Sequence, residues 1–175
     1  MDYTNINKNS NDDNNSFQIR FAVESDIPTI IGFIKELAEY ENMLDDVIAD
    51  EDILREWVFD KKKAEALIGE YNGASVGYVL FFHNFSTFLG RAGIYLEDIY
   101  IKPNYRGLGF GRMMLQRLAS IAVERGCGRM EWNCLDWDEP GVQFNLSLDA
   151  EPLEGWTVYR LTGEALRKLA TSNDQ

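Results

Sequence analysis

Positive charge, cysteine, histidine and long apolar runs are all scarce in this chain, and each shortage removes a class of function. Lys and Arg number 17 against 29 Asp and Glu, a net charge of −12. So acidic a surface repels phosphate backbones, which argues against nucleic acid as the main partner. Two cysteines, Cys127 and Cys134, in 175 residues cannot build a disulfide framework and read as free cytosolic thiols. The single histidine, His83, sits in an apolar-aromatic stretch. A zinc site or a Ser/His/Asp triad would have to rely on that one imidazole, so no metal is expected. No apolar run approaches about 18 residues, so neither a membrane span nor a membrane partner is expected. Residues 1–16 are rich in Asn, Asp and Ser and have no apolar core of a secretory signal. They are expected to form a flexible polar tail. Residues 17–175 are long enough for a single domain with one core.

The charge is unevenly spread. From Lys102 to Arg129 six basic residues face one acid, Glu124, while Glu36 to Glu56 is strongly acidic. A basic island suits an anionic ligand, and an acidic remainder suits a cationic one.

Periodicity and turn signals give an order of elements. Phe17–Phe21 alternates as a strand. Ser25 or Asp26 can cap a helix that starts near Pro28 and keeps Ile27, Ile30, Ile31, Ile34, Leu37 and Ala38 on one face. A second helix is expected over Asp50–Phe59. Strands over Ala64–Tyr71 and Ser75–His83 meet at Asn72-Gly73, a hairpin signal. Ala92–Ile101 is a further strand, and Phe110–Arg125 a helix with Leu115, Leu118, Ala119 and Ala122 inward and Gly126 as its cap. Arg129–Leu135, Glu139–Leu148, Trp156–Leu161 and Glu164–Ala170 read as strand, helix, strand and helix. This order describes an α/β (α+β) domain with a mixed sheet.

Between strand 92–101 and helix 110–125 lies Lys102-Pro-Asn-Tyr-Arg-Gly-Leu-Gly-Phe-Gly-Arg112. A glycine-rich turn onto a helix N-terminus gathers unpaired N–H groups and the positive end of the helix dipole, a seat for phosphate. A P-loop needs G-x-x-x-x-G-K-[ST], but Arg112 and Met113 follow Gly111. A dinucleotide fingerprint needs G-x-G-x-x-G; from Gly107 the third glycine would be Arg112, and from Gly109 it would be Met114. The remaining pattern, Arg106-x-x-Gly109-x-Gly111, resembles the acyl-CoA pyrophosphate loop of the GNAT superfamily of N-acetyltransferases. Helices favour acids in the first turn, yet Phe110 to Met114 holds none and carries Arg112. A bound pyrophosphate would resolve that conflict.

The resemblance extends over most of 17–170. Ile-Lys-Glu-Leu-Ala-Glu-Tyr-Glu (34–41), Tyr-Leu-Glu-Asp (95–98), Trp-Asp-Glu-Pro (137–140) and Glu-Gly-Trp (154–156) are similar in order and spacing to the diamine, spermidine/spermine and thialysine N-acetyltransferase branch. It implies the GNAT fold, a central, mostly antiparallel twisted sheet flanked by helices. It further implies a cytoplasmic homodimer that moves acetyl from acetyl-CoA to a primary amine of a small polycationic substrate. The cofactor-binding positions it implies are Ile99, Tyr100 and Ile101 for the pantetheine arm and Arg106, Gly107, Leu108, Gly109, Phe110, Gly111 and Arg112 for the pyrophosphate. Glu97 and Asp98 match the part that receives the amine. Strand alternation puts these two on opposite faces unless a bulge intervenes, and Glu97 is favoured as channel lining and general base. Asp98 reads equally as a structural carboxylate. Trp137 and Glu139 match the substrate wall, though Trp137 reads equally as core.

The chain departs from the pattern in one helix. Asn145 stands where the branch carries a tyrosine, the acid for the leaving thiolate, and Asp149 where it carries glycine. Asp138 replaces an asparagine of the cofactor-contacting segment. An amide cannot act as a general acid, and such a loss costs about 10²–10⁴ in rate. Tyr159 is the nearest replacement in sequence. The alternative is thus a catalytically weakened or non-catalytic acyl-CoA-binding relative.

Overall fold

The computed structural model describes residues 16–171. All of the predicted tail except Ser16 lies outside the described residues. Two compact units divide the chain between Asn133 and Cys134.

The first unit is built on five strands in the order β1-β2-β3-β4-β5. They are β1 (Gln18–Phe21), β2 (Glu65–Tyr71), β3 (Ala74–Ser86), β4 (Arg91–Ile101) and β5 (Met130–Trp132). The first four pair antiparallel, and β5 runs parallel to β4. The β2–β3 hairpin turns where predicted. Asn72 and Gly73 both adopt positive φ, 53° and 76°, the left-handed conformations that let a two-residue turn follow the strand twist.

Helix α1 (Ile27–Tyr40) and the short α2 (Glu51–Leu54), which widens into π turns over Arg55–Asp60, lie on one face of the sheet. Ile27, Ile30, Ile31 and Phe33 pack there with Leu54, Val58, Ala66, Ile68, Tyr78 and Tyr100. Pro28 suits the first turn, where its missing N–H has no partner to lose. The expected cap is only half present. Asp26 precedes the helix, but its carboxylate turns away from the helix amides. It accepts the Val23 N–H at 2.8 Å and two Arg20 guanidinium bonds at 2.6 and 2.9 Å. Those charge-assisted bonds hold Asp26 below the usual carboxylate range and tie β1 to α1. Arg20 also reaches Glu70 of β2.

Helix α3 (Phe110–Glu124) covers the other face. Met114, Leu115, Leu118, Ile121 and Ala122 are buried; Ala119, expected inward, is exposed, because the buried stripe is centred one position away. Phe110 stacks on Phe17 at 4.1 Å, and both Phe17 and Met114 occupy the space a side chain at Gly69 would need. Gly126 ends the helix at φ 69°, with Gly126 N–H donating to Val123 O and Cys127 N–H to Ala122 O.

The second unit holds α4 (Glu139–Leu146) and α5 (Gly163–Thr171). The strand expected over Trp156–Leu161 is not formed. Alternating apolar residues fit a strand only where a neighbour accepts the ladder bonds, and the described residues of this unit offer none.

Candidate active site

Three breaks in regularity coincide along β4. The first is a β-bulge. Leu80 pairs with Asp98 and Phe81 with Leu96, so Glu97 is the extra residue and stands exposed. The opposite-faces reading of Glu97 and Asp98 therefore does not apply: alternation is interrupted between Leu96 and Asp98. The second is an open edge. β5 accompanies β4 only from Ile94 to Leu96. Among the described residues, no strand pairs with that edge from Glu97 to Ile101. Lys102 N–H donates to Val76 O at 2.9 Å, so alternation turns the amides of Ile99 and Ile101 toward the open edge.

The third is the glycine loop at the end of β4. A short turn over Pro103–Tyr105 leads into Gly107 and Gly109, with φ of 75° and 83°. Nothing lies within 4 Å of where a side chain on either would begin. The first intrahelical bond of α3 runs from Met113 N–H to Gly109 O at 3.1 Å. The N–H groups of Phe110 and Gly111 precede it and lack an intrahelical acceptor. Leu108 and Arg112 are exposed beside them, and no acid occupies the first turn.

Arg106 behaves differently from the rest of the loop. Its Nε donates to Ile101 O at 2.9 Å, and its guanidinium lies 5.0 Å from the Tyr40 ring and 5.6 Å from the Tyr100 ring. It clamps the loop onto the strand it leaves and so fixes the direction of the following amides. Burial, followed by its hydrogen bond to Glu36, pushes the Tyr100 hydroxyl up to about 12.

The acid pair has two environments. Glu97 is exposed on the bulge. Asp98 is largely enclosed, and its Oδ2 accepts the hydroxyl of fully buried Tyr78 at 2.7 Å. Burial raises the Asp98 carboxyl above the ordinary range, while the Tyr78 bond pulls it down. The Tyr78 hydroxyl is itself pushed far up by burial and then by Asp98, with Glu41 and Glu97 adding to the push. Tyr78, Glu41 and Tyr40 were not singled out from sequence as site residues. Tyr78 looks like any core aromatic, and its one signal is a hydroxyl among residues that have no polar atom to meet it.

A strand edge with outward amides, ending in a left-handed glycine loop at an uncapped helix N-terminus, matches an extended ligand that ends in phosphate. Residues 32–145 match the family model described as Acetyltransferase (GNAT) family. The thialysine N-epsilon-acetyltransferase of Bos taurus is 41% identical over 164 residues, 87% of this chain and 96% of that protein. The chain belongs to the GNAT acetyltransferase family. A longer relative, spermidine/spermine N(1)-acetyltransferase-like protein 1 of Homo sapiens, is 35% identical over 165 residues, 88% of this chain and 24% of that one. Among solved structures, an integron cassette protein from the mobile metagenome of V. cholerae superposes with a TM-score of 0.76 at 23% identity, covering 90% of this chain and 99% of that one. That likeness shows the fold.

GNAT enzymes use acetyl-CoA, and the loop fits a diphosphate: open space at Gly107 and Gly109, two amides free of helix bonds, no acid to repel it. Of the acceptor and cofactor positions implied by the family, β4 and the loop after it bring together Glu97 through Arg112. The others lie in the second unit. Trp137 is 55% exposed there, not core. Asp138 precedes α4, and its carboxylate lies against Gly141. Glu139 accepts Gln143 Nε2 at 2.8 Å. Asn145 is half-buried, and its carbonyl accepts the N–H groups of Leu148 and Ala150. Asp149, at the family's glycine position, holds φ 59°, the conformation a glycine would take. Tyr159 is 91% exposed.

Proposed function

We propose that the protein moves acetyl from acetyl-CoA to a primary amine of a small polycationic substrate, a diamine, polyamine or thialysine-like amine. The observation that carries this reading is that one strand delivers both ends of the reaction. β4 presents the acid pair Glu97 and Asp98 at its bulge and ends in the glycine loop. The names of the curated relatives support the same substrate class.

The amine arrives protonated, with an ordinary pKa of about 10.4, and must lose its proton before it can attack. Glu97 takes that proton, directly or through water. Asp98 holds a cationic group of the same substrate. The Ile99 amide, turned to the open edge, donates to the oxygen on which negative charge develops. Acetyl-CoA supplies the activated acetyl group as substrate; the outward amides of Ile99 and Ile101 and the amides from Gly107 to Arg112 hold it, while Tyr100, whose backbone faces β3, backs them from the core. Trp137, Asp138, Glu139 and Asn145 keep the roles the family resemblance gives them; as the N–C bond forms the C–S bond breaks, and coenzyme A leaves as the thiolate, hydrogen-bonded by Asn145 and protonated by water. We also read the protein as a cytoplasmic homodimer.

Free-thiol release from acetyl-CoA with spermidine, putrescine, thialysine and lysine tests the reading. Turnover with at least one is expected. Binding of CoA by calorimetry without release by any of the four amines would overturn it.

A further inference from the structure

Tyr78 is a fully buried phenol whose hydroxyl meets one carboxylate, and that carboxylate sits next to the bulge of the acceptor strand. We propose that Tyr78 is a positioning residue for amine recognition: by occupying Asp98 Oδ2 from inside the core, it fixes the carboxylate so that Oδ1 is the oxygen presented to the cationic substrate. The inference rests on the reading of Glu97 and Asp98 as the acceptor side.

A phenylalanine would fill the same space in the α1–α2 core. The hydroxyl adds nothing to apolar packing, and burying it requires a partner. Asp98 is that partner, and the pairing runs from the interior of the sheet outward. A carboxylate with one oxygen held by a neutral donor keeps its negative charge and loses its rotational freedom. Of the charged groups around the pair, Glu97 on the bulge and Glu41 just past α1 act on the Tyr78 hydroxyl. Further along the same face, Tyr100, Glu36, Lys102 and Arg106 form a separate set. Glu97 and Glu41 add negative potential to a spot that Asp98 already makes negative. A polycation would be drawn there.

Tyr78→Phe removes the hydroxyl alone. Asp98 then loses the bond that favours its charged form, and its protonation midpoint moves up by about one pH unit. Carbon-13 NMR of the Asp98 carboxyl reads this directly, without turnover. In the active enzyme the acid limb of kcat/KM for the amine moves up by the same amount, and KM for the amine rises while KM for acetyl-CoA does not. An Asp98 midpoint and an amine KM both unchanged in Tyr78→Phe, with only Tm lowered, would show a structural role and overturn the proposal. Should Tyr78→Phe not fold, 3-fluorotyrosine placed at position 78 strengthens the donor and lowers the Asp98 midpoint; a static midpoint overturns the proposal equally. If the NMR midpoint moves but the wild type acetylates no amine, the positioning of Asp98 stands and the assigned reaction falls.

Discussion

Asp98 and Asn145 are the two residues at which local chemistry and function pull apart. Asp98 is a carboxylate in an enclosed place, and its pKa lies above the ordinary range because burial penalises the charge. An acid whose folded-state pKa is raised loses stability as pH climbs from its unfolded value, about 3.9, through the folded one. Asp98→Asn keeps an oxygen for the Tyr78 hydroxyl and removes the charge. It is expected to raise Tm at pH 7, because the charge that burial penalises is gone. Below about pH 4 the gain vanishes. The same variant is expected to lose at least about tenfold in kcat/KM for the amine. Thermal melts across pH and initial rates check both halves, and a variant neither stabler nor slower would remove Asp98 from the site. Asn145 is the reverse case, a neutral amide where the family resemblance implies a tyrosine acid. Asn145→Tyr is expected to raise kcat at least about tenfold if that phenol is the missing general acid. Steady-state rates decide it; no gain means this chain protonates the thiolate by another route.

At the scale of elements, the loop between β4 and α3 is the part whose conformation and chemistry cannot be separated. Gly109 is the residue before α3 and sits at φ 83°, which L side chains adopt at a cost of roughly 1–2 kcal/mol. Gly109→Ala is expected to relax the loop out of that conformation and swing the Phe110 and Gly111 amides away. CoA affinity measured by calorimetry should fall at least about tenfold, with Tm lowered by only a few degrees. An unchanged affinity would mean that those amides are not the seat of the diphosphate. Most elements were legible beforehand. Asn72-Gly73 announced the hairpin, the apolar rows of α1 and α3 announced their buried faces, and Gly126 announced the helix end. Two features were not. The bulge at Glu97 depends on how β4 registers against β3, which no spacing within Tyr95–Ile101 reveals. The missing strand at 156–161 has a strand's alternation, but alternation records which residues could be buried and not whether a partner is there.

Across the whole molecule the charge is divided: a basic stretch from Lys102 to Arg129 within a chain of net charge −12. In the fold four of those cations pair with acids, Lys102 with Glu36, Arg117 with Glu124, Arg125 with Glu65 and Arg129 with Glu131, so the surplus charge is acidic and suits a cationic amine. Raising ionic strength from about 0.01 M to about 1 M shortens the screening length from about 30 Å to about 3 Å. KM for a divalent or longer amine is expected to rise severalfold over that range, with kcat changed much less. A KM for the amine that stays flat with salt would mean the acidic surface plays no part in capture. The candidate site was legible at this scale in outline, since the glycine loop and the acid pair are both written into one short stretch, 95–112. Its inner half was not: Arg106 as a clamp on Tyr40 and Tyr100, and Tyr78 behind Asp98, join residues from β3, β4 and α1 that lie far apart in the chain.

Family, most of the order of elements and the glycine loop were set by local patterns, because turn glycines, helix ends and apolar periods act between residues a few positions apart. The ionisation of Asp98, the exposure of Glu97 on its bulge, and the inward turn of Arg106 were settled only once the strands were side by side. Burial and register depend on neighbours that come from elsewhere in the chain, and it is those neighbours that decide whether a carboxylate is a solvated charge or a held one.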